Sequence, residues 1–381
     1  MKVLAVGGGS GGHVTPVAAV VEQLAIQLPA DSLTVLFVCD KAFESQSRGI
    51  MATVSVPIEV KTITSGKLRR YAHLSLWQHF AHISIVGRNI IDIFKVVVGF
   101  VQSLVLIAKF QPDVVFAKGG FVCLPVGFAA WCLRRPLVIH DSDVRPGLTN
   151  RLLARFANVI ATGFPLENYS YPPVKSHYTG VPIDQKYSPV STQKQLEFKN
   201  ALGIDSSKQL ILAFGGGLGS TVINDAMASL APTLGESIVI YNITGKGNIE
   251  RAKEKGVGIA NYRAEEFVYG LHDAMAAADL VITRASATAL QELAGLKRAT
   301  IAVPASQLGD QQLNAKLFQE ANAVIVVRDE ELADTSSLTK TVQEILHSPT
   351  HREQLAEALH VFARPKAASD LATLIIAANN G

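Results

Sequence analysis

The chain is poor in cysteine and nearly balanced in charge. Its 381 residues include three cysteines, and the excess of Lys and Arg over Asp and Glu gives a net charge of only +3. Cys39, Cys123 and Cys132 are scattered, and no pair has the spacing of metal ligands. We therefore expect a reducing compartment, no structural metal site and no nucleic-acid partner attracted by bulk charge.

Features of secretion and of membrane spanning are also lacking. The N-terminal apolar run leads directly into glycines and is too short for a signal peptide. The mostly apolar stretch 90–110 carries Asp92, Lys95, Gln102 and Lys109 at roughly helical spacing. This spacing predicts an amphipathic helix with a wide apolar face rather than a spanning helix, so we expect a cytoplasmic protein.

The sequence does contain a regular alternation of strand-like and helix-like runs. Such alternation predicts a parallel sheet with helices on both faces. The pattern restarts near residue 210, and a glycine cluster follows the first strand of each set, at 7–12 and at 215–219. The predicted strands are Lys2–Val6, Leu33–Cys39, Val114–Phe116, Leu137–His140 and Val159–Thr162, and then Leu210–Phe214, Ser237–Thr244, Leu280–Thr283, Ala299–Val303 and Ala323–Val327.

The repeat predicts an α/β protein with two Rossmann-like domains that face each other across a cleft. The domains would be 1–165 and 185–365, joined within a proline-rich region. A C-terminal helix at about 366–381 could pack back on the first domain. A ligand would lie at the carboxyl ends of both sheets, where the glycine clusters are.

The first glycine cluster fits the pattern G-x-G-x-x-G at Gly7, Gly9 and Gly12. Glycine lets the backbone approach a phosphate or a sugar, and the following helix presents free N–H groups to it. His13 stands at the helix start, where the positive dipole end favours the neutral imidazole that could act as a base. Two alternatives stay open: an NAD-dependent oxidoreductase with Asp40 on the ribose, or a tight turn without a ligand.

Polar residues near other predicted strand ends are further candidates. Asp141 and Asp143 follow a strand of the first domain, where a carboxylate could act as a base or orient the first-domain histidine. In the second domain Glu292 could accept hydrogen bonds from a ribose, and Gln311 and Gln312 suit sugar hydroxyls. A solvated helix start explains the last three equally well, and chance spacing explains the aspartates.

Several stretches together resemble the MurG family of N-acetylglucosaminyltransferases, within glycosyltransferase family 28. The similar segments are 7–16 (GGGSGGHVTP), 112–125 (PDVVFAKGGFVCLP), 146–151 (PGLTNR) and 284–292 (RASATALQE). The resemblance implies the GT-B fold and an inverting transfer of GlcNAc from UDP-GlcNAc to the 4-hydroxyl of MurNAc in undecaprenyl-pyrophosphoryl-MurNAc-pentapeptide (lipid I). The product would be lipid II for peptidoglycan synthesis, made at the cytoplasmic face of the cell membrane by a peripheral enzyme.

The resemblance also implies roles for particular residues. Glu292 would hold the ribose, with Val268 and Phe267 at the uracil. His13 would be the base, and Asp141 is the second candidate. The other implied substrate-binding residues are Ser10, Gly11, Gly12, Gly119, Gly120, Asp143, Gly217, Ala287, Thr288, Ala289, Gln311 and Gln312. No cofactor is required for this chemistry, and a divalent cation is not predicted.

A lipid-linked acceptor implies contact with a bilayer. The candidate contact residues are Lys67, Arg69 and Arg70 for anionic headgroups, and Trp77, Phe80 and Phe94 for the interface. The alternative for the stretch 90–110 is simple packing against the sheet, and the helix could do both. Other proteins of cell-wall synthesis would be further partners.

The chain departs from the family at several positions. Gly217 replaces a usual serine, Asp143 replaces an asparagine, and Asp310 stands where many members have histidine. The Gly-Asn-Pro-x-Arg element reads Gly180-Val181-Pro182-Ile183-Asp184, without the positive charge that would suit a diphosphate. Two alternatives therefore stay open: another UDP-sugar glycolipid glycosyltransferase, or a catalytically weakened UDP-sugar-binding homologue.

Overall fold

The structure is a computed structural model that describes residues 1–8, 11–66, 83–268 and 270–379, with the backbone alone at 83–90. It contains two compact units: Met1–Gln185 together with the C-terminal residues from Lys366, and Lys186–Pro365. Each unit is built on one sheet in which the neighbouring strands are parallel. The predicted α/β class with two parallel-sheet domains is confirmed, whereas the cleft between them stays a prediction.

Among the described residues, the first unit contains a seven-stranded sheet. The strands are β1 (Lys2–Val6), β2 (Thr34–Asp40), β3 (Ile58–Ile63), β4 (Val114–Ala117), β5 (Leu137–Asp141), β6 (Val159–Thr162) and β7 (Ser176–Tyr178). They lie in the order β3-β2-β1-β4-β5-β6-β7. The helices of this unit are α1 (Gly11–Gln27), α2 (Glu44–Met51), α3 (Ile83–Phe110), α4 (Cys123–Cys132), α5 (Leu148–Leu153) and the C-terminal α14 (Ala367–Asn379).

Helices cover both faces of this sheet. Val17 and Leu24 of α1 and Leu371 of α14 are fully buried in the core of one face. Ile107 of α3 and Leu153 of α5 are fully buried in the core of the other. Inner strands of a parallel sheet are therefore apolar on both sides, and this continuous apolar character makes them predictable from sequence.

The two edge strands of the first sheet, β3 and β7, are not predicted by the sequence pattern. In β3, Val60 is buried while Glu59 and Lys61 are exposed, so the run has no continuous apolar character. The short β7 lies in the proline-rich region, and only Ser176 within it is buried. Edge strands are partly solvated, which removes the pattern that identifies inner strands.

The second unit repeats the strand order of the first. Its strands are β8 (Gln209–Phe214), β9 (Ile238–Ile243), β10 (Tyr262–Glu265), β11 (Leu280–Thr283), β12 (Thr300–Ala302) and β13 (Ile325–Val326), in the order β10-β9-β8-β11-β12-β13. The charged edge strand β10 is again absent from the predicted set. The helices are α6 (Thr192–Ala201), α7 (Thr221–Leu230), α8 (Ile249–Lys255), α9 (Leu271–Ala277), α10 (Ala287–Leu296), α11 (Gly309–Glu320), α12 (Thr335–Leu346) and α13 (Pro349–His360).

The helix α1 begins inside the glycine cluster. Its first residue is Gly11, so Gly12 and His13 lie in its first turn. Glycine has a low helix propensity, which conceals this turn in the sequence. The helix α3 begins at Ile83 rather than at Ile90.

The long helix α3 packs one side, which includes Ile107, against the protein and exposes a second apolar side. Asp92 and Ser103 are buried, and the Ser103 hydroxyl donates to the carbonyl of Gly99 at 2.6 Å. The opposite side presents large apolar residues that are 47–67% exposed: Ile91, Ile93, Phe94, Val97, Val98, Val101 and Val105. Within the described part of the chain, Ile91–Phe110 is the stretch whose length and mean hydropathy of 2.1 would suffice to cross a membrane.

Candidate active site

The first glycine cluster forms a tight turn between β1 and α1. A Cβ atom at Gly7 would overlap the carbonyl oxygen of His13 in the first turn of the helix. At Gly8 a Cβ atom would lie 2.9 Å from Cγ2 of Val122 and 3.0 Å from Oδ2 of Asp40. Glycine is therefore needed here to bring the helix start onto the strand end, whether or not a ligand binds.

A second glycine pair closes over this turn from the adjacent strand β4. Gly119 and Gly120 have φ angles of +106° and +86°, which a side chain would oppose. A Cβ atom at Gly120 would lie 2.7 Å from the carbonyl oxygen of Gly8 and 3.6 Å from Nε2 of His13. The structure thus brings the predicted residues Gly12, His13, Gly119 and Gly120 together at the carboxyl ends of β1 and β4.

The imidazole of His13 is held in its neutral form. Its pKa is lowered to about 3, mainly by burial and further by the positive charge of Lys118. The Nδ1 atom is buried and has no hydrogen-bond partner among the described residues. A neutral imidazole with an unused ring nitrogen can accept a proton or a hydrogen bond from a substrate.

Asp141, the second candidate base, ends β5 and is 3% exposed. Its Oδ2 atom accepts hydrogen bonds from the Tyr171 hydroxyl at 2.8 Å and from the Gly147 N–H at 3.1 Å. Burial raises its pKa to about 7, the Tyr171 hydrogen bond opposes this shift, and Asp143 adds to it. The suggestion that Asp141 orients His13 stays a prediction, since the contacts described for this carboxylate are those with Tyr171 and Gly147.

Lys118 is a site residue that lies within one of the family-like motifs, although the sequence alone indicates no role for it. It follows β4 and is 1% exposed, and its Nζ donates to the Ser142 hydroxyl. Ser142 lies 3.3 Å from Nδ1 of His140, whose Nε2 lies 2.9 Å from the carbonyl oxygen of Gly180. The available signal was a lysine placed directly after a fully apolar strand.

Two tyrosines in the chain that follows β6 fix the segment that contains Asp141 and Asp143. The hydroxyl of Tyr169 donates to the main-chain carbonyl of Asp143 at 2.7 Å, as Tyr171 donates to Asp141. The two rings stack with centroids 5.6 Å apart and an interplanar angle of 10°. The segment is also fixed from α5, where the buried Asn150 amide donates to the carbonyl of His140 at 3.0 Å.

The glycine loop of the second unit joins β8 to α7. A Cβ atom at Gly219 would overlap the carbonyl oxygen of Thr244, whereas Gly217 is exposed in the loop. Ser220 begins α7, and its hydroxyl accepts hydrogen bonds from the Ile223 N–H at 3.3 Å and from Nη2 of Arg284 at 2.7 Å. Arg284 lies within one of the family-like motifs, but nothing in the sequence indicates this contact.

The helix α10 carries the predicted ribose-binding residue. Ser286 caps its start by accepting from the Ala289 N–H at 3.3 Å, so that Ala287 and Thr288 form the first turn. Glu292 lies one turn further and is 7% exposed. The alternative of a solvated first-turn glutamate is therefore wrong. A carboxylate at this position accepts hydrogen bonds only, and hydroxyl groups are among the donors that suit it.

The glutamines of α11 make main-chain contacts with the loop before them. Oε1 of Gln311 accepts from the Ala305 N–H at 3.1 Å, and Nε2 of Gln312 donates to the carbonyl of Ala305 at 3.3 Å. The side chain of Asn314, which sequence reasoning missed, is fully buried and donates to the carbonyl of Ala285 at 3.2 Å. These contacts fix the loop beside the start of α10.

The remaining predicted residues lie in different places. Phe267 is 60% exposed and Val268 half-buried, just after β10. Phe94 is 67% exposed on α3. The predicted residues Ser10, Lys67, Arg69, Arg70, Trp77 and Phe80 lie outside the described residues. Within the described ranges, no group of three or more His, Cys, Asp and Glu side chains could hold a metal ion.

Comparison with known proteins places these two units in one family. Residues 3–162 match the glycosyltransferase family 28 N-terminal domain, and residues 210–371 match the C-terminal domain of the same family. A Bacillus cereus protein is 35% identical over 350 residues, covering 90% of this chain and 91% of its own. The chain belongs to the MurG family. Its α/β units and its predicted class of UDP-sugar glycosyltransferase agree with this assignment, and the oxidoreductase alternative loses its support.

The relatives are named for one reaction. The Bacillus cereus protein and a Legionella pneumophila protein, 33% identical over 94% of this chain and 93% of its own, are both UDP-N-acetylglucosamine–N-acetylmuramyl-(pentapeptide) pyrophosphoryl-undecaprenol N-acetylglucosamine transferases. Among solved structures, MurG of Acinetobacter baumannii superposes with a TM-score of 0.71 at 23% identity over 99% of both chains. UDP-GlcNAc 2-epimerase of Neisseria meningitidis gives 0.69 at 14% identity, over 99% of this chain and 100% of its own, and shares the fold alone.

Proposed function

We propose that this MurG-family chain transfers GlcNAc from UDP-GlcNAc to the 4-hydroxyl of MurNAc in lipid I, giving lipid II. The observation that carries the proposal is a neutral His13 beneath two glycine turns, in a chain that covers 90% or more of relatives named for this reaction. Family membership supplies the substrate classes, and the described residues supply groups suited to the chemistry.

The reaction would be a single displacement at the anomeric carbon. The acceptor hydroxyl attacks, its proton passes to a base, and the bond to UDP breaks through an oxocarbenium-like transition state. His13 is the first candidate base, because it is neutral and its Nδ1 has no partner among the described residues. Asp141 is the alternative, because its pKa of about 7 suits proton transfer near neutral pH.

The second unit would bind the donor. Small residues at the start of α10 leave its N–H groups accessible to a diphosphate, and helix N-termini stabilise the negative charge that develops on UDP without a metal. Glu292 would accept the ribose hydroxyls, and Val268 would contact uracil through its backbone beside Phe267. Gln311 would read the sugar through its amide N–H groups, because its Oε1 is already bonded to Ala305.

A transfer assay tests this function directly. Radiolabelled UDP-GlcNAc and a lipid I analogue should give a radiolabelled lipid II product, with UDP-GalNAc as the donor control. Transfer to a different glycolipid only would favour another UDP-sugar glycosyltransferase. Binding of UDP without transfer to any acceptor would favour a catalytically weakened homologue, in line with Val181 and Asp184 in place of the family's usual residues.

We also propose that the apolar side of α3 rests on the membrane that carries the acceptor. A helix with one side packed against the core of the protein cannot be surrounded by lipid, so it would lie along the interface. The seven exposed apolar residues of α3 would enter the acyl boundary, where their burial is favourable by about 25 cal/mol per Å². Lys67, Arg69 and Arg70 precede it in sequence and would add attraction to anionic headgroups.

Vesicle flotation tests the membrane contact. The variant Phe94→Glu/Val101→Glu should lose binding to vesicles of anionic and neutral phospholipids, because it places charges in the apolar side of α3. The matched control is Ile26→Glu/Val361→Glu, which alters two apolar residues outside α3 that are 64% and 73% exposed. Equal binding of both variants would refute the role of α3, and unchanged binding after charge reversal at Lys67, Arg69 and Arg70 would refute the basic contribution.

A further inference from the structure

Lys118 is a charged residue in an unusual place. Lysine side chains are rarely fully buried unless they are paired, yet this one is 1% exposed. Its main-chain N–H donates to the carbonyl of Val6 at 3.0 Å, which fixes it beside the end of β1. The next two residues are the glycines that close over His13, so the lysine lies beneath the turn of the candidate site.

The contacts of Lys118 define a directed hydrogen-bond chain. A carbonyl oxygen only accepts, so Nε2 of His140 carries the hydrogen that is donated to Gly180 at 2.9 Å. Nδ1 of His140 then accepts from the Ser142 hydroxyl at 3.3 Å. The hydroxyl in turn accepts from Nζ of Lys118. The lysine thereby fixes the orientation of Ser142, which donates to a fully buried His140 whose tautomer is set by the carbonyl of Gly180.

Both acidic groups of the site also face this lysine. Burial lowers the pKa of Lys118 to about 8, while the carboxylates of Asp143 and Asp141 favour its charged form. Burial raises the pKa of the Cys123 thiol to about 12, so this neighbour is neutral. The titratable and charged groups that face Lys118 are His13, Cys123, His140, Asp141 and Asp143.

We propose that Lys118 is a positioning residue of the transfer reaction, which orients Ser142 and His140 and supplies a buried positive charge to both candidate bases. The inference rests on the proposed function, and it extends that function to a residue that does not touch the substrate. Lys118 acts through His13 and Asp141, and its charge affects both in the same sense. Near a positive charge the histidine stays unprotonated and the carboxylate stays ionised.

The variant Lys118→Met tests the charge. Loss of the charge raises the pKa of His13 and also raises that of Asp141, so in either case the base becomes protonated at a higher pH. The acid limb of the kcat/KM profile should therefore move upward by about 1 pH unit or more. Lys118→Arg, which keeps the charge, should leave the limb in place. An unmoved limb in a folded Lys118→Met enzyme overturns the proposal.

The variant Ser142→Ala tests the hydrogen-bond chain without changing any charge. It should lower kcat about tenfold, by releasing His140 from its partner, and should leave the acid limb where it is. Binding of UDP, measured by calorimetry, should be the same in all three variants. Full kcat in Ser142→Ala would overturn the positioning part of the proposal.

A measurement without turnover separates this inference from the proposed function. If wild type shows no transfer to lipid I, the proposed function fails, while the charge effect of Lys118 can still be measured in the free protein. Selective labelling of histidine and aspartate allows NMR titration of His13 and Asp141. Both pKa values should be higher in Lys118→Met than in wild type and in Lys118→Arg. Titration curves that coincide in all three proteins would overturn the inference even in an active enzyme.

Discussion

Each unit has a basic residue directly after the equivalent strand of its sheet, but the partners of this residue differ between the two units. Lys118 follows β4, which pairs with β1, and Arg284 follows β11, which pairs with β8. In each unit the partner strand is the first one along the chain. Arg284 is paired with Asp329, and also donates to Ser220 at 2.7 Å and to the carbonyl of Val303 at 3.2 Å. Lys118 instead faces histidines and carboxylates that can exchange protons.

The difference shows how one scaffold serves two kinds of chemistry. In the second unit the cation is neutralised within the protein by Asp329, and the groups proposed to meet the ligand are backbone N–H groups and the buried carboxylate of Glu292. In the first unit the cation sets the protonation of groups at the strand ends. We infer that the first unit handles the proton and that the second binds the anionic donor. Four substitutions test this difference between the two units.

The largest effect is expected at His13. His13→Gln removes the neutral imidazole but keeps a polar side chain of similar size. The variant should lower kcat by about 10²–10⁴-fold, because general base catalysis contributes on that order. UDP affinity should be unchanged, since the donor groups lie on the other unit. Turnover that survives this change would transfer the role of the base to Asp141.

Arg284→Met should act on stability and not on protonation. The change leaves the largely buried Asp329 carboxylate without its ion pair, which should cost about 3 kcal/mol in the free energy of unfolding. Urea unfolding of the variant, with Arg284→Lys as the control, measures this cost. The acid limb of the pH profile should not move. A shift of the acid limb like that expected for Lys118→Met would mean that Arg284 also controls the protonation of a catalytic base.

Glu292→Gln should weaken the binding of the UDP donor, and this effect should be smaller. Hydrogen bonds to a charged group contribute about 1.5–3 kcal/mol, which corresponds to a 10–150-fold loss of UDP affinity. The matched ligand is 2′,3′-dideoxy-UDP, which lacks the ribose hydroxyls. Wild type and variant should bind this ligand with equal affinity. If the variant still prefers UDP over it as strongly as wild type does, Glu292 does not bind the ribose.

The smallest effect is expected at Tyr171, and it discriminates between the two candidate bases. Tyr171→Phe removes the hydrogen bond that favours the ionised form of Asp141, so the pKa of Asp141 rises from about 7. If Asp141 is the base, the acid limb moves to higher pH by up to about 1 unit.

Tyr169→Phe is the matched control for this change. It loses a hydrogen bond to the main-chain carbonyl of Asp143 instead, and its ring can keep the stacking contact. The acid limb should stay in place in this variant. An unmoved limb in both variants would leave His13 as the base.

The sequence predicts the inner strands and the glycine loops because their causes are local. A buried strand of a parallel sheet is continuously apolar, and a turn that needs glycine contains it. The edge strands β3 and β10 escape the prediction because Glu59, Lys61 and Arg263 give them the composition of a surface segment, and the three-residue β7 escapes it within the proline-rich region. Family resemblance then adds His13, Asp141 and Glu292 as site residues.

The groups that tune the site are not predictable in this way. Lys118 and Ser142 are 24 positions apart in the sequence, and Asp141 and Tyr171 are 30 positions apart. Nothing near either residue in the sequence indicates its partner. Such pairs arise only when β4, β5 and the chain after β6 come together, so their roles follow from the folded structure.

The C-terminal helix α14 has a consequence for how the protein is made. Leu371, Ala372 and Ile375 complete the core that α1 forms on one face of the first sheet, and Gln27 of α1 bonds to Ser369 at 2.9 and 3.0 Å. During synthesis the part of that face beneath α14 stays uncovered until α14 has left the ribosome, by which time the second unit, Lys186–Pro365, has emerged. A nascent chain stalled before α14 emerges would expose this apolar surface to chaperones and proteases.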